Sequence, residues 1–284
     1  MHELEKPQLQ GKVAFITGAS RGIGNAIAKR FAAEGASVVL CASRLGAHGK
    51  LPGTLEEEVD IINQSGGKAA GFALDLTDEK ARATAIEQAA AYFGPIDILV
   101  NNAAGAKMLP PSMVTTSQRN WMFDLNVNAP VDLTQQALAH MQKHQSGWIL
   151  NISSETAHQP RVPYPDTAMS AHVIGAYGST KAALDRYTEA LAHEVAPDNV
   201  CINTLAPEAM VLTPGAEQVR SLGEKRPDMV EPVEMMAEAA LELCSRHHVG
   251  QICYSRRLLH RVNRPLFALD GVTIIGDAFT PGLV

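Results

Sequence analysis

Tyr177 and Lys181 stand four residues apart in "YGSTK", so a helix there would place both side chains on one face. A free tyrosine ionises at about pH 10, too high for efficient proton exchange near neutrality. A close ammonium favours the phenolate and draws that value down. Ser154 closes the run "GWILNISS" and offers a neutral hydroxyl that could hydrogen-bond a substrate oxygen. Together these three groups read as apparatus for passing a proton to or from an alcohol or carbonyl oxygen. Tyr164 shares the stretch, but Pro163 and Pro165 flank it and Ala168 stands where a cation would be needed. The proton-exchange role therefore falls to Tyr177.

A second group points to a phosphate-bearing cofactor. In "TGASRGIG" (17–24), Gly18, Gly22 and Gly24 fall between a short apolar run and a segment of helical periodicity. Such glycines permit a tight turn and a close backbone approach, and the free N–H groups of the helix start would meet a pyrophosphate. In a dinucleotide fold, a carboxylate about 20 residues further on takes the adenosine ribose, whereas an arginine accommodates a 2′-phosphate. Here Arg44 lies twenty residues past Gly24, beside Ser43, and no Asp or Glu is found at 36–54. Arg44 can grip phosphate bidentately and Arg21 adds a second charge, so the cofactor expected is NADP(H) rather than NAD(H). Asp75, in "DLT" (75–77), either accepts from the adenine amino group or helps cap the helix that starts at 78.

The elements that must position these residues alternate. Apolar runs at 12–18, 37–43, 69–77, 96–104, 147–154 and 200–207 read as strands, and segments at 22–36, 54–67, 78–94, 117–144 and 176–196 as helices. Thr54 and Gly35 supply a cap and a stop. Fully apolar strands alternating with helices imply a parallel sheet covered on both faces, and right-handed crossovers make it doubly wound. Ser154 would then sit at the carboxyl edge, where such folds bind ligands. Beyond 208 a helix is expected at 231–245, and "GQICYS" (250–255) and "PLFALDG" (265–271) compete to be the last strand. The intervening 208–230, rich in Gly, Pro and charge, reads as a lid.

Composition bounds the rest. The chain has 284 residues, 46% hydrophobic and 19% charged, with a net charge of −6, an ordinary globular balance for one α/β domain. An acidic whole argues against nucleic-acid binding. Cysteines at 41, 201, 244 and 253 form no CxxC pair, which argues against a zinc site or a disulfide framework. "MHELEKPQLQGK" lacks the apolar core of a signal peptide, and no apolar run is long enough to span a bilayer. The expectation is a soluble cytoplasmic protein.

The motifs arrive in a familiar order. "TGASRGIG" at 17, "NNAA" at 101, "NVNA" at 126, "NISS" at 151, "YGSTK" at 177 and "INTLAP" at 202 together span roughly 10–210. In them the chain resembles the short-chain dehydrogenases/reductases. The resemblance implies one Rossmann-fold domain of about seven parallel strands with helices on both faces, covering 1–284. It implies hydride transfer between a nicotinamide and a secondary alcohol or ketone. It also implies a tetrad: Tyr177 exchanges the proton, Lys181 lowers its pKa and binds the nicotinamide ribose, Ser154 polarises the substrate, and Asn126 holds a water that links Lys181 to solvent. The residues alone do not separate Asn126 from Asn128. Further cofactor contacts are implied at Ser20, Ile23, Leu76, Asn102, Ala103, Ala104, Pro207 and Thr213, and a homotetramer or homodimer is the family's usual assembly. Two other readings remain: reduction of a 3-oxoacyl thioester on a carrier protein, and a non-catalytic NADP(H)-binding protein.

The sequence departs from that pattern in places. Ala104 and Glu208 stand where glycines are usual, and Glu208 is expected to turn into solvent. The stretch 155–176 is longer than usual and reads as an insertion forming part of the wall for a hydrophobic carbonyl or alcohol substrate, with His158 and Tyr164 as candidate contacts. His140 and His144 lack a third metal ligand, so no metal is expected. "RRLLHRVNR" (256–264) reads as a solvated face or subunit contact, and "LGAHGKLPG" (45–53) as a surface insertion in which His48 and Lys50 stand near the cofactor phosphate.

Overall fold

A computed structural model describes residues 8–47, 52–158 and 173–276. The chain runs β1 (Val13–Thr17), α1 (Gly22–Ala33), β2 (Ser37–Ala42), α2 (Leu55–Gln64), β3 (Lys68–Ala73), α3 (Glu79–Arg82), α4 (Ala85–Phe93) and β4 (Ile98–Asn101). It continues with α5 (Thr116–Phe123), α6 (Ala129–His144), β5 (Gly147–Ile152), α7 (Gly175–Val195) and β6 (Val200–Ala206). Last come α8 (Glu217–Lys225), α9 (Val233–Ser245), β7 (Ile252–Tyr254), α10 (Ser255–Arg261), β8 (Leu266–Phe267) and β9 (Ile274–Gly276).

Seven strands form one sheet in the order β3-β2-β1-β4-β5-β6-β7, and every neighbouring pair is parallel. Both faces are covered. Along β1, Ala14 and Ile16 point into a core shared with α1 and α9, while Val13 and Phe15 point into a second core shared with α4 and α6. That alternation of apolar side chains toward two cores explains why the strands read as continuous hydrophobic runs. β1 lies between β2 and β4 although β3 intervenes in sequence, so the strand order reverses there and a crevice opens at the carboxyl ends of β1 and β4.

Several boundaries differ from expectation, each for a local reason. The helix foreseen over 78–94 is two helices, parted at Thr84, whose φ of −124° is not helical. The first is capped by Asp78, whose carboxylate accepts from the N–H groups of Lys80 and Ala81. The long helix foreseen over 117–144 contains a π-helical turn at Asp124–Asn128. Pro130 follows at once, and it has no N–H to give to the carbonyl of Asn126 in an α-helical ladder. "GQICYS" supplies the seventh strand, whereas "PLFALDG" supplies only β8, paired antiparallel with β9 in a separate ribbon.

The basic run 256–264 is only in part a solvated face, with Arg257, His260, Arg261 and Asn263 exposed. Leu258 and Leu259 are buried, and Arg264 donates to Glu238 at 2.5 Å and Glu242 at 2.7 Å. Glu238 is fully buried and also receives Arg30 Nε at 2.8 Å. This network joins α1, α9 and the segment leading into the C-terminal ribbon. Removing one partner strands a buried charge. Glu238→Ala should cost about 3–5 kcal/mol of stability, read as the change in urea midpoint at constant m-value.

Candidate active site

A cleft of about 900 Å³ occupies the crevice where the strand order reverses. Its wall carries Gly18, Ser20, Arg21, Gly22, Ile23, Ser43, Arg44, Asp75, Leu76, Asn102, Ala103 and Ala104 from the β1, β2, β3 and β4 ends, and Ser154, Pro207 and Thr213 from the β5 and β6 ends. The glycines are there because backbone must meet backbone. Gly18 has φ +65°, and a Cβ on it would stand 2.9 Å from Ala103 Cα. One on Gly24 would stand 2.7 Å from the Gly18 carbonyl oxygen. The Asn102 side chain fastens the two loops, donating to the carbonyls of Thr17 at 2.9 Å and Gly18 at 3.1 Å. Thr213 lies across the cleft against Gly22, 3.3 Å from where a Cβ would project.

At the β2 end, Ser43 and Arg44 are both exposed at the cleft. Arg21 Nη2 donates to the Gly53 carbonyl at 3.1 Å, so Gly53 lies against the glycine loop; His48 and Lys50 lie outside the described residues. Asp75 is not the cap of the following helix, which is Asp78; its Oδ1 accepts from the Thr77 N–H and hydroxyl at 2.9 and 2.8 Å, in the cleft wall.

The other end of the cleft is built by the turn after β5, with α7 packed behind it; Tyr177 and Lys181 themselves are not in the cleft wall. Ser154 ends β5 and opens a short 3-10 turn, Glu155–Ala157. Its Oγ accepts from Thr156 N at 3.2 Å and from Thr156 Oγ1 at 2.9 Å. Ser154 also hydrogen-bonds the Tyr177 phenol. Tyr177 and Lys181 lie on successive turns of α7, as their spacing foretold, with Lys181 Nζ 5.8 Å from the Tyr177 ring centroid. Lys181 is only 2% exposed and donates to the Ile152 carbonyl at 2.7 Å. Burial pulls its pKa down to about 8, against the opposing pull of Asp185. Burial pushes the Tyr177 phenol up to about 12, with Ser154 acting the other way. In the protein alone the expected lowering of Tyr177 by Lys181 is not found: burial outweighs the one opposing pull, that of Ser154. Tyr177 is a protonated donor at neutral pH.

The structure separates the two asparagines that the sequence left equal. Asn126 is fully buried on the π turn. Its Oδ1 accepts from Gly105 N at 2.9 Å, and its Nδ2 donates to Gly105 O at 2.8 Å and Thr180 Oγ1 at 3.0 Å. Asn128 is exposed. Asn126 thus ties the loop after β4 to the helix that carries Tyr177 and Lys181. A parallel tie runs from Asn101 Nδ2 to Asn151 Oδ1 at 2.8 Å and from Asn151 Nδ2 to Thr188 Oγ1 at 2.8 Å. Sequence reading passed over Asn101, Asn151 and Thr188; amides inside otherwise apolar strands were the available signal.

Glu208 does not turn into solvent. It lines the cleft, and its Oε1 accepts from Arg257 Nε at 2.8 Å. The N–H groups of Glu208 and Ala209 donate to Oε2 of buried Glu231 at 3.2 and 3.3 Å, while Ser255 Oγ donates to its Oε1 at 2.6 Å. Burial raises the Glu231 carboxyl to about 7. His158 turns to Tyr254, its Nδ1 standing 2.6 Å from the phenol oxygen, and is not part of the cleft wall. Tyr164 and the rest of 159–172 lie outside the described residues. His140 and His144 stack on each other with centroids 4.2 Å apart.

A doubly wound parallel sheet with a glycine-lined cleft at its strand-order reversal is the architecture of the Rossmann-type folds. Residues 12–222 match the short chain dehydrogenase profile, and the chain belongs to the short-chain dehydrogenase/reductase family, whose members use nicotinamide cofactors. It is 34% identical over 233 residues to hydroxysteroid dehydrogenase-like protein 2 of Danio rerio, covering 82% of this chain and 54% of that one. A short chain dehydrogenase of Pseudocercospora fijiensis is 33% identical, covering 87% and 75%. The chain spans about half the length of the vertebrate relatives it matches. Among solved structures, a 3-oxoacyl (acyl-carrier-protein) reductase of Agrobacterium tumefaciens with NADP bound superposes with TM-score 0.76 at 31% identity, covering 89% of this chain and 96% of that one. A 7α-hydroxysteroid dehydrogenase complexed with NADH and 7-oxo glycochenodeoxycholic acid gives TM-score 0.76 at 31% identity, with the same coverage. No helix among the described residues is long and apolar enough to cross a membrane.

The seating of α7 against β5 sets the Ser154–Tyr177 geometry, and it rests on a glycine. A Cβ on Gly178 would overlap the Thr156 carbonyl oxygen. Gly178→Ala should push the helix off the turn that carries Ser154. A displacement of about 1 Å at the reacting groups costs on the order of 10²-fold in rate. The expected result is that loss in kcat with an unchanged far-UV circular dichroism spectrum.

Proposed function

We propose that this protein is an NADP(H)-dependent oxidoreductase that interconverts a ketone and a secondary alcohol, with Tyr177 as its general acid and base. The observation that supports the reading is that the Tyr177 phenol hydrogen-bonds Ser154, a residue of the cleft wall, with the buried Lys181 ammonium beside the phenol ring. The residues present fit a dinucleotide. The close-packed glycine backbone leaves room for a pyrophosphate, and Asn102, Ala103 and Ala104 continue the same wall. The exposed Arg44 at the end of β2, with no carboxylate at 36–54, suits a 2′-phosphate better than a bare ribose.

A bound nicotinamide would supply the hydride. The chain's own residues would do the rest. Ser154 donates its O–H to the carbonyl oxygen and fixes it beside Tyr177. The Tyr177 phenol, protonated at neutral pH, delivers its proton to that oxygen. Lys181 stabilises the phenolate left behind and hydrogen-bonds the cofactor's ribose. Asn126 keeps the helix seated while this happens and, in this reading, supports the water through which Lys181 is resupplied. Trp121, Leu125, Met210, Val211 and Met229 give the cleft an apolar side suited to a hydrophobic substrate, and 208–230 would act as its lid.

Tyr177→Phe should leave the Kd for NADPH within about twofold and lower kcat by roughly 10²–10⁴-fold with a panel of hydrophobic ketones. Full turnover in that variant would overturn the assignment. Arg44→Ala should raise the KM for NADPH by about tenfold or more while leaving that for NADH nearly unchanged. Equal effects on both cofactors would remove the phosphate role.

A further inference from the structure

Beyond Lys181, the next turn of α7 carries an acid. Asp185 is four residues on, on the same face as Tyr177 and Lys181, and is only 6% exposed. It faces the carboxyl ends of β5 and β6. Ser153 follows Ile152, whose carbonyl holds Lys181, and Thr204 belongs to β6; both hydroxyls lie near the Asp185 carboxylate. Ser153 Oγ, Thr204 Oγ1 and Asp185 Oδ1 are all buried, and the two hydroxyls are the polar neighbours of the carboxylate. Three such oxygens gathered beside a buried ammonium are costly unless charge compensates. The tetrad uses none of them.

We propose that Asp185 is a positioning residue: its buried carboxylate, one turn beyond Lys181 and between the Ser153 and Thr204 hydroxyls, is the counter-charge that keeps Lys181 an ammonium beneath Tyr177. The inference rests on the reading of Tyr177 as the proton donor. Asp185 acts through space: its interaction with Lys181 is coulombic, while Ile152 takes a hydrogen bond from the ammonium. The direction follows from the surroundings. Burial favours the neutral form of both groups, and each one's charge favours the other's. His158, beyond the β5 turn, also stabilises the carboxylate, and Tyr254 on β7 feels its charge. Ser153 and Thr204 favour the charged carboxylate as well. Remove the carboxylate and burial of Lys181 stands unopposed, so the ammonium is lost at a lower pH.

The test follows Lys181 itself, without turnover. In protein labelled with ¹³C,¹⁵N-lysine, the Lys181 resonance is assigned by its loss in Lys181→Met and titrated by NMR in the wild type and in Asp185→Asn. The expected result is a Lys181 titration midpoint lower by about one pH unit in Asp185→Asn. The alkaline limb of kcat for ketone reduction should move by the same amount. Thr204→Val, which only weakens the hold on the carboxylate, should move both in the same direction by less. Should Asp185→Asn fail to fold, Thr204→Val carries the test alone. A Lys181 midpoint unchanged in every variant that folds would overturn the role of Asp185 and leave the Tyr177 assignment standing. A shifted midpoint in a protein that reduces no ketone would uphold the coupling and overturn the reading of the activity.

Discussion

A lysine ammonium shut away from water is hard to place in any protein, and here it stands where a helix meets the end of a strand. Lys181 has surrendered nearly all of its hydration for one backbone carbonyl, that of Ile152. That arrangement is tolerable only if the carbonyl stays at hydrogen-bonding distance, so β5 and α7 must hold a fixed relation. Much of the polar structure in the interior serves that relation. Asn126 and Thr180 tie the helix to the loop after β4, and Asn151 and Thr188 tie its next turns to β5. These amides are buried and satisfied on both ends, which makes them rigid as well as inexpensive. The geometry of Ser154 and Tyr177 is then inherited, since one ends the strand and the other lies one turn before the lysine.

The same burial explains why the charges matter. In water, a lysine 5.8 Å from a tyrosine ring would be screened to little effect. With both groups desolvated, each ionisation is expensive and each neighbouring charge counts for more. Tyr177 is held protonated and Lys181 brought close to neutrality by one cause acting on groups of opposite sign. The upward shift keeps the proton on Tyr177 in the protein alone, since a phenol pushed up is a weaker acid than free tyrosine.

Much of this was legible in the order of residues. Seven parallel strands and the cofactor loop follow from apolar runs, glycines and helical periodicity, because those signals are local. The Thr54 cap came out as a full capping box with Glu57. Tyr177 and Lys181 followed from a four-residue spacing that only a helix gives meaning. What stayed hidden depended on partners distant in sequence. Asn126 differs from Asn128 only by which side of a π turn it occupies, and the turn itself becomes visible only once Pro130 is set against the helical ladder. The basic run 256–264 read as surface because the acids that neutralise Arg264 lie on α9, 22 and 26 residues earlier. The choice between two candidate last strands was likewise settled by pairing with β6, which no local pattern encodes.

Glu208 shows how a fold absorbs a departure from its family's pattern. A side chain where glycine is usual must go somewhere, and the loop after β6 has no room to expose it freely because it lines the cleft. Arg257, exposed on α10, reaches over to take one carboxylate oxygen. The backbone that glycine would have left flexible is instead fastened from below, where buried Glu231 accepts from two successive N–H groups and from Ser255. The partners lie beyond residue 222, where the match to the family profile ends: Glu231 before α9, and Ser255 and Arg257 on α10.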